Sequence, residues 1–567
     1  MENNNVEVLD EKQEVQQPVV EQENIVEGKD KGKGGKKGII ILLVFLALLA
    51  IGFGVYYFIN KNTESTKVDT NTKKYKSEYR ISSNGLENFD LYFLKLENEE
   101  KNKVYSPLSI KYALEMLSEG AGGDFKKQID AVIGDYKAKS YPNSEHMSFA
   151  NAMFIRNSFK ENIVEDYTNN LSSKYGAEIL YDEFSSAQPM NNWVKQKTFN
   201  LIDNFFKDDD VAQEDFILTN ALAIDMNWNN QIHCTCGHKI PCVNDGYYSI
   251  SYAHEKLDDD SEAAYSNAEY PFDSDEAFFG DQYRNRKNEF NGKEYTKGAT
   301  VLADFNKYDI IKELGEDKIR EIIRPEYEAW LKTEDGKSAM REEFPTNADE
   351  YVNKFIKELK ENYGKSANST DFFLYEDDNV KEFAKDLQEY DGVTLQYVGI
   401  MPKNEKLTDF VKESDKDSLN KLIDSLKEVK IDNFEEGYAT RIRGFIPFFK
   451  FEYELQLMED LKKLGISDVF DNNKANLSGM LKSSNGEVIS DAAHKATIEF
   501  SNDGIKAAAV TQLGGFGSTR GPYFEHLFKV PVKDIDISFN KPYMYIIRDK
   551  ATGEVWFTGT VYEGITK

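Results

Sequence analysis

The densest group of chemically capable side chains is His233-Cys234-Thr235-Cys236-Gly237-His238-Lys239-Ile240-Pro241-Cys242, which holds all three cysteines of the chain. Cys234, Cys236, His238 and Cys242 are the donor types of a tetrahedral zinc site, thiolates together with an imidazole. The spacing is not that of a standard finger, and the second half of a usual site is missing. Two other readings stand beside zinc: a disulfide that leaves one thiol over, and an exposed loop without a metal. The chain has six histidines in all. It shows no Gly-x-Ser-x-Gly elbow and no phosphate-cradling glycine loop, so nothing points to catalysis by the chain itself. No cofactor other than that zinc is expected.

A second stretch has no reactive side chain but a specific pattern. Gly504-Ile505-Lys506-Ala507-Ala508-Ala509-Val510-Thr511 is followed by Leu513-Gly514-Gly515-Phe516-Gly517-Ser518-Thr519-Arg520-Gly521. At period two, Ile505, Ala507, Ala509, Thr511 and Leu513 share one small, apolar face that could slide between two strands. Proline, which a central strand rejects, is absent until Pro522. The insertable tract is roughly 17 residues, about 55 Å at 3.3 Å per residue. A flexible Gly/Ala surface loop is the alternative.

The elements around the tract must position it. His494 to Phe500 reads as a strand leading in. Ile535 to Ile547 reads as a strand leading out, and Glu554 to Val561 as a closing strand after an Asp549–Gly553 turn. Upstream lie Tyr105-Ser106-Pro107-Leu108-Ser109-Ile110, Asn151-Ala152-Met153-Phe154, Asn191-Asn192-Trp193-Val194, and Leu218-Thr219-Asn220-Ala221 with Trp228 beyond. Leu464-Gly465-Ile466 and Leu477-Ser478-Gly479-Met480 close a strand–helix stretch that starts at Phe448. In this order, over about 84–232 and 390–567, the segments resemble the serpin family.

The resemblance implies an α+β fold of mixed and antiparallel sheets, about nine helices and an exposed reactive loop. It implies that Gly504, Ile505, Lys506, Ala507, Ala508, Ala509, Val510 and Thr511 are the hinge of that loop. Trp228 and His494 would shape the region where insertion begins. The implied function is suicide-type inhibition of serine endopeptidases, with papain-like cysteine proteases as further partners. Counting forward from Gly504 by the family's spacing puts the bait bond at Ser518-Thr519, which suits elastase- or subtilisin-like proteases. Arg520-Gly521 is the runner-up and would suit trypsin-like ones; Phe516 is a third candidate. Counting back from Pro542 instead lands near Val530-Pro531. The sequence departs from the family where Ile505 replaces the usual Thr or Ser, where Lys506 replaces Glu, and in a longer loop. One rival is a non-inhibitory serpin-like binding or scaffold protein on the cell surface. Another is a hydrolase or metal protein whose chemistry lies in the extra segment described below.

Composition sets outer bounds. Net charge is −29, from 70 basic and 99 acidic side chains, which excludes a general nucleic-acid binder. Residues 1–37 read as an acidic, disordered tail ending in Lys29, Lys31, Lys33, Lys36 and Lys37 among glycines. Residues 38–59 form an uncharged apolar run long enough for a transmembrane helix, with Tyr56, Tyr57 and Phe58 at its end. The lysines before the run place the N-terminus in the cytoplasm. The chain is thus expected to be a single-pass protein of the cell membrane, with the lipid bilayer as a partner. Residues 60–83 read as a polar tether to an extracellular domain, 84–567.

Between Trp228 and Leu395–Pro402 the chain is longer than the family needs, which predicts an inserted subdomain at about 233–390. Tyr308, Ile311, Ile319, Ile322 and Ile323 predict a helix within Phe305–Ile323, ended by Pro325. Thr346 with Asp349 predicts a cap ahead of Tyr351, Val352, Phe355, Ile356 and Leu359.

Overall fold

The structure is a computed structural model. It describes residues 77–565 except 138, 230–252, 256–288, 296–297, 339–343, 364–371, 484–486, 490–491, 502–503 and 506–527. The tail, the predicted span at 38–59 and the cysteine cluster lie outside the described residues. Among the described residues no helix is long and apolar enough to cross a membrane.

The largest sheet has seven antiparallel strands in the order β1 (Lys103–Tyr105), β20 (Val555–Val561), β19 (Tyr543–Asp549), β12 (Leu395–Pro402), β11 (Val380–Asp386), β10 (Phe372–Glu376) and β13 (Lys427–Glu428). Both of its faces are covered, so β12, β19 and β20 are buried at almost every position and are mostly apolar. On β19, Met544 and Ile546 join one buried cluster. Tyr543, Tyr545 and Ile547 join another, shared with the strands of a second sheet. The predicted strand Ile535–Ile547 is in fact two strands. β18 (Lys529–Asp536) ends before the Ile537–Pro542 connection, and Pro542, which has no amide proton, precedes β19.

The helices of the first cluster are α1 (Asn88–Leu96), α2 (Pro107–Gly120), α3 (Gly123–Ile133), α4 (Glu165–Tyr175), α11 (Leu407–Glu413), α12 (Lys416–Ser425) and α13 (Leu457–Leu464). α2 starts where Ser106 caps it, its hydroxyl accepting from the Ser109 amide at 3.1 Å, with Pro107 in the first turn. Two further helices, α5 (Gln188–Lys197) and α6 (Asp208–Val211), bury Met190, Trp193, Val194 and Val211 beside Phe154 and Ala221.

The extra segment holds α7 (Ile310–Leu314), α8 (Glu316–Trp330), α9 (Glu334–Ser338) and α10 (Ala348–Asn362). Thirteen helices are therefore described against the predicted nine, and the surplus is these four. Three sequence expectations fail here. Gly315, at φ +78°, divides the first predicted helix, and Phe305 belongs to a strand. Pro325 sits inside α8 rather than ending it. Its cost of about 3 kcal/mol is offset by burial of Ile319, Ile323 and Tyr327 on one face. The cap of α10 is Asn347, accepting from the Asp349 amide at 2.9 Å, not Thr346.

Two boundaries also shift. β10 and β11, within 233–390, pair into the seven-stranded sheet. At the other end, residues 77–83 of the predicted tether are packed on the domain. Ile81 is fully buried, its amide donates to the Val132 carbonyl at 2.8 Å, and Tyr79 meets Tyr92 edge-on. The apolar Tyr79 and Ile81 outweigh the polar residues around them.

One polar contact lies deep in this core. Lys111 of α2 and Asp90 of α1 are 2.7 Å apart with no side-chain exposure. Burial raises the Asp90 pKa despite the lysine. Removing one partner of such a pair strands the other charge. Lys111→Met should therefore lower stability by about 3 kcal/mol or more, read as the urea midpoint. Adding Asp90→Asn, which can still accept from the Glu87 amide, should restore most of the loss.

Candidate functional site

The hinge begins inside a sheet. β16 (Ala493–Phe500) pairs on one side with β15 (Phe449–Gln456) and on the other with the two-residue β17 (Gly504–Ile505). β17 in turn pairs antiparallel with β5 (Met226–Asn227), Gly504 opposite Asn227 and Ile505 opposite Met226. Gly504 and Ile505 are thus buried and paired, not exposed as the loop reading expected. Gly504 is needed for closeness rather than for an unusual φ. A Cβ there would sit 2.0 Å from the Met226 carbonyl oxygen. The Trp228 indole, 2% exposed, donates to the Ser501 carbonyl at 2.9 Å and packs edge-on against Phe500. It lies where β16 gives way to β17.

Below β17 the same two neighbours separate. β4 (Phe216–Ile224), which continues into β5 after Asp225, pairs with β2 (Met147–Arg156) and has no other strand partner among the described residues. β2 carries β3 (Glu178–Asp182) on its far side. Between β4 and β16 opens a cavity of about 490 Å³, lined by Leu222, Ile224, Ile498, Ile505, Ile547 and Phe557 among others. Ile505 points into that apolar space. This is the face the period-two reading gave it, and Ile suits it where a charge would not. Phe199 and Asn200, also on the cavity wall, have φ of +53° and +63°. Such conformations cost non-glycine residues about 1–3 kcal/mol each.

His494 is not where the sequence reading put it. It opens β16 opposite Leu455, whereas β17 meets β16 at Phe500. It therefore marks the far end of the gap. There its Nε2 accepts from the Ser106 amide at 2.9 Å, and burial lowers its pKa to about 4. Nearby polar groups went unread as a site. The Ser109 hydroxyl bonds Asn220 Oδ1. Asn220 Nδ2 donates to Asn151 Oδ1 at 2.6 Å, and Asn151 Nδ2 donates to the Tyr175 carbonyl at 2.8 Å. The available signal was polar residues at positions of apolar strands and a helix start.

The described chain stops after Ile505 and resumes at Phe528. Lys506 to Thr511, Phe516, and the bait candidates Ser518, Thr519, Arg520 and Gly521 lie outside the described residues. Val530-Pro531, reached by the backward count, is inside β18 and paired to β6 (Ala253–Glu255). A paired strand is a poor protease substrate, so that count fails. β18 also runs parallel to β14 (Ala439–Pro447), which pairs antiparallel to β9 (Gly298–Asn306). Cys234, Cys236, His238 and Cys242 lie outside the described residues. Among the described residues no group of three or more His, Cys, Asp or Glu is placed to hold a metal.

The three-stranded sheet ending at β4 and the four-stranded sheet holding β16 thus flank a cavity headed by β17. The family model described as Serpin (serine protease inhibitor) matches residues 88–235 and 367–564, and the chain belongs to the serpin family. It is similar to Iripin-5 of Ixodes ricinus, 23% identical over 512 residues, covering 86% of this chain and 95% of that protein. Its fold is similar to that of the thermophilic serpin Tengpin in the native state, with TM-score 0.50, 20% identity, and coverage of 88% and 96%. It is also similar in fold to thyroxine-binding globulin in complex with thyroxine, with TM-score 0.50, 17% identity, and coverage of 84% and 98%.

Two predictions follow from the geometry. Gly504→Ala should expel β17 from the sheet. Hydrogen exchange at the Ile505 amide should then rise by an order of magnitude or more, with the seven-stranded sheet unchanged. His494, held neutral when folded, binds its proton more readily when unfolded. Stability is full above about pH 6.5 and falls toward pH 4. Because His494 keeps some exposure, the loss is on the order of 2 kcal/mol rather than the full linkage value. Urea midpoints at pH 7 and 4.5 should differ less in His494→Gln than in the natural protein.

Proposed function

We propose that this serpin is a suicide-type inhibitor of serine endopeptidases, with papain-like cysteine proteases also accessible to it. Serpins are in general non-enzymatic protease inhibitors. The observation that carries the finer reading is β17, paired on both sides at the head of a strand-sized gap. In the proposed reaction the protease hydroxyl or thiol attacks a loop carbonyl carbon. The peptide bond breaks, its nitrogen leaves as the amine of the C-terminal fragment, and an ester or thioester joins the loop to the protease. The freed hinge then extends β17 down the gap.

About eight inserted residues, the length of β16, would pair with β4 on one side and β16 on the other and make roughly 16 backbone hydrogen bonds at 0.5–1.5 kcal/mol each, on the order of 10 kcal/mol in total. That rivals the whole stability of an ordinary domain, about 5–15 kcal/mol. It is enough to drag an attached protease and distort its site. Ser518-Thr519 remains the proposed bait, with Arg520-Gly521 second. The span at 38–59 is proposed to hold the domain at the outer face of the cell membrane.

Incubation with trypsin-, elastase-, subtilisin- and papain-like proteases should give a detergent-stable adduct with at least one of them. Mass spectrometry of the released C-terminal peptide reads the bond. If each protease cuts the loop and leaves active, the protein is instead a non-inhibitory binding module. Ala509→Arg puts a charge on the inserting face. It should turn inhibitor into substrate without lowering native stability, and unchanged inhibition would refute the insertion step.

A further inference from the structure

We propose that His146 and Tyr390 are positioning residues for the hinge: their stacked rings fix the point where the chain leaves β2 and becomes the partner of Gly504 and Ile505. The change of neighbours falls at Asp225. Before it, β4 pairs with β2 as far as Ile224 opposite Met147. After it, β5 takes β17 on one edge. Its other side is held by the end of β11. The Gln388 amide donates to the Asn227 carbonyl at 2.8 Å, Trp228 bridges Leu387, and the Asn229 amide donates to the Asp386 carbonyl at 3.1 Å. The acceptor of the hinge is thus tied to the seven-stranded sheet, whereas β4 is tied to β2.

His146 and Tyr390 meet at this change. His146 clasps Asp225 from the β2 side. The Asp225 amide donates to the His146 carbonyl at 2.8 Å, and His146 Nδ1 lies 2.9 Å from the Asp225 carbonyl oxygen. A carbonyl oxygen only accepts, so Nδ1 carries the hydrogen. Tyr390 belongs to the connection from β11 to β12. It exchanges both backbone bonds with Val393 across Asp391 and Gly392, whose φ are +52° and +77°. These are the two left-handed residues of a tight hairpin turn, which makes Tyr390 a stiff platform. Its ring stacks on His146 at 3.8 Å between centroids. Its hydroxyl donates to Gln388 Oε1 at 3.1 Å and accepts from Asn227 Nδ2 at 3.4 Å. One stacked pair therefore holds Asp225 through His146 and Asn227 through Tyr390.

The Ile505 amide reports on this hold. The Ser501 amide donates to the Gly504 carbonyl at 3.1 Å, so these two are the bonded pair beside Phe500 and Ile505. Bonded and unbonded pairs alternate between antiparallel strands, which turns the Ile505 amide toward β5. The functional consequence rests on the inhibitor reading. With the acceptor loose, β17 lacks a fixed template to extend from. Water then has longer to cleave the ester, which frees the protease hydroxyl and leaves a carboxylate on the cut loop.

The test uses the full chain and compares the natural protein with Tyr390→Leu, Tyr390→Phe and His146→Leu. Hydrogen exchange at the Ile505 amide should quicken about tenfold in Tyr390→Leu, which loses the stack and the Asn227 bond, with amides along β2, β4 and β19 unchanged. Tyr390→Phe keeps the stack and should recover most of the protection. Joining Tyr390→Leu to His146→Leu should add little, since either change removes the same stack. With a protease that the natural protein traps, the share of cut loops ending in adduct should fall at least about twofold in Tyr390→Leu. Unchanged exchange at Ile505, or equal quickening along β2 and β4, would overturn the positioning role at the hinge. Exchange in Tyr390→Phe as fast as in Tyr390→Leu would overturn the stack as its cause. Local quickening with an unchanged adduct share would overturn the role in insertion. If the natural protein traps no protease, the inhibitor reading fails, while the exchange result still decides whether the pair holds the hinge. His146→Leu alone gives the same readouts if Tyr390→Leu does not fold.

Discussion

The structure is organised around backbone hydrogen bonds that are not made. β4 and β16 run on either side of a cavity, each with one edge that no described strand occupies. Open edges are ordinarily a hazard that proteins cover or shorten. Here they are held apart. β16 is tied to β15, and β4 to β2. Ile498, Leu222 and Ile224 pack into the cluster behind the seven-stranded sheet. The left-handed backbone at Phe199 and Asn200 adds strain at the cavity wall. In the proposed insertion the unmade bonds are the driving term, so free energy is stored by position rather than in any one bond.

The two ends of the slot differ in chemistry. The upper end is aromatic: Trp228, Phe500 and Tyr397 meet ring to ring beside the Ser501 carbonyl. The lower end is polar, with the neutral imidazole of His494 accepting from Ser106 next to the Ser109, Asn220 and Asn151 chain. Buried polar groups of this kind must be satisfied one by one, so they fix geometry more strictly than the apolar end does. In the proposed insertion, strand pairing starts at the greasy end and finishes against the polar one.

Much of this was legible in the sequence because local chemistry and position agreed. Ser106-Pro107 announced a helix start and made one. The alternation from Ile505 onward gave the inward face, and Ile505 takes it. Trp228 was named from its order along the chain, and it packs against Phe500 at the β17 end of β16. His494 was not, since being in a leading strand does not say which end of that strand borders the opening. Pro325 misled because local rules take no account of the tertiary burial that carries α8 through it. Gly504 was read only as the first residue of the hinge, because a backbone 2.0 Å from its missing Cβ is visible only once strands are paired. Phe528 gave no sign of its burial, because its partners lie in another segment of the chain, in the cluster that includes Phe355 and Ile319.

The seven-stranded sheet has a consequence for how the molecule is made. β1, near the start of the domain, has β20 as its neighbour, and Asn102 is bonded to Glu563, 461 residues away in sequence. β19 and β20 lie between β1 and β12. A ribosome must therefore release almost the whole chain before the middle of this sheet can close. Until then β12 and β1 offer bare edges to any neighbour. Long-range pairing of this kind is slow, and chains emerging side by side would have time to exchange their C-terminal hairpins. Crowded synthesis therefore exposes this fold to error.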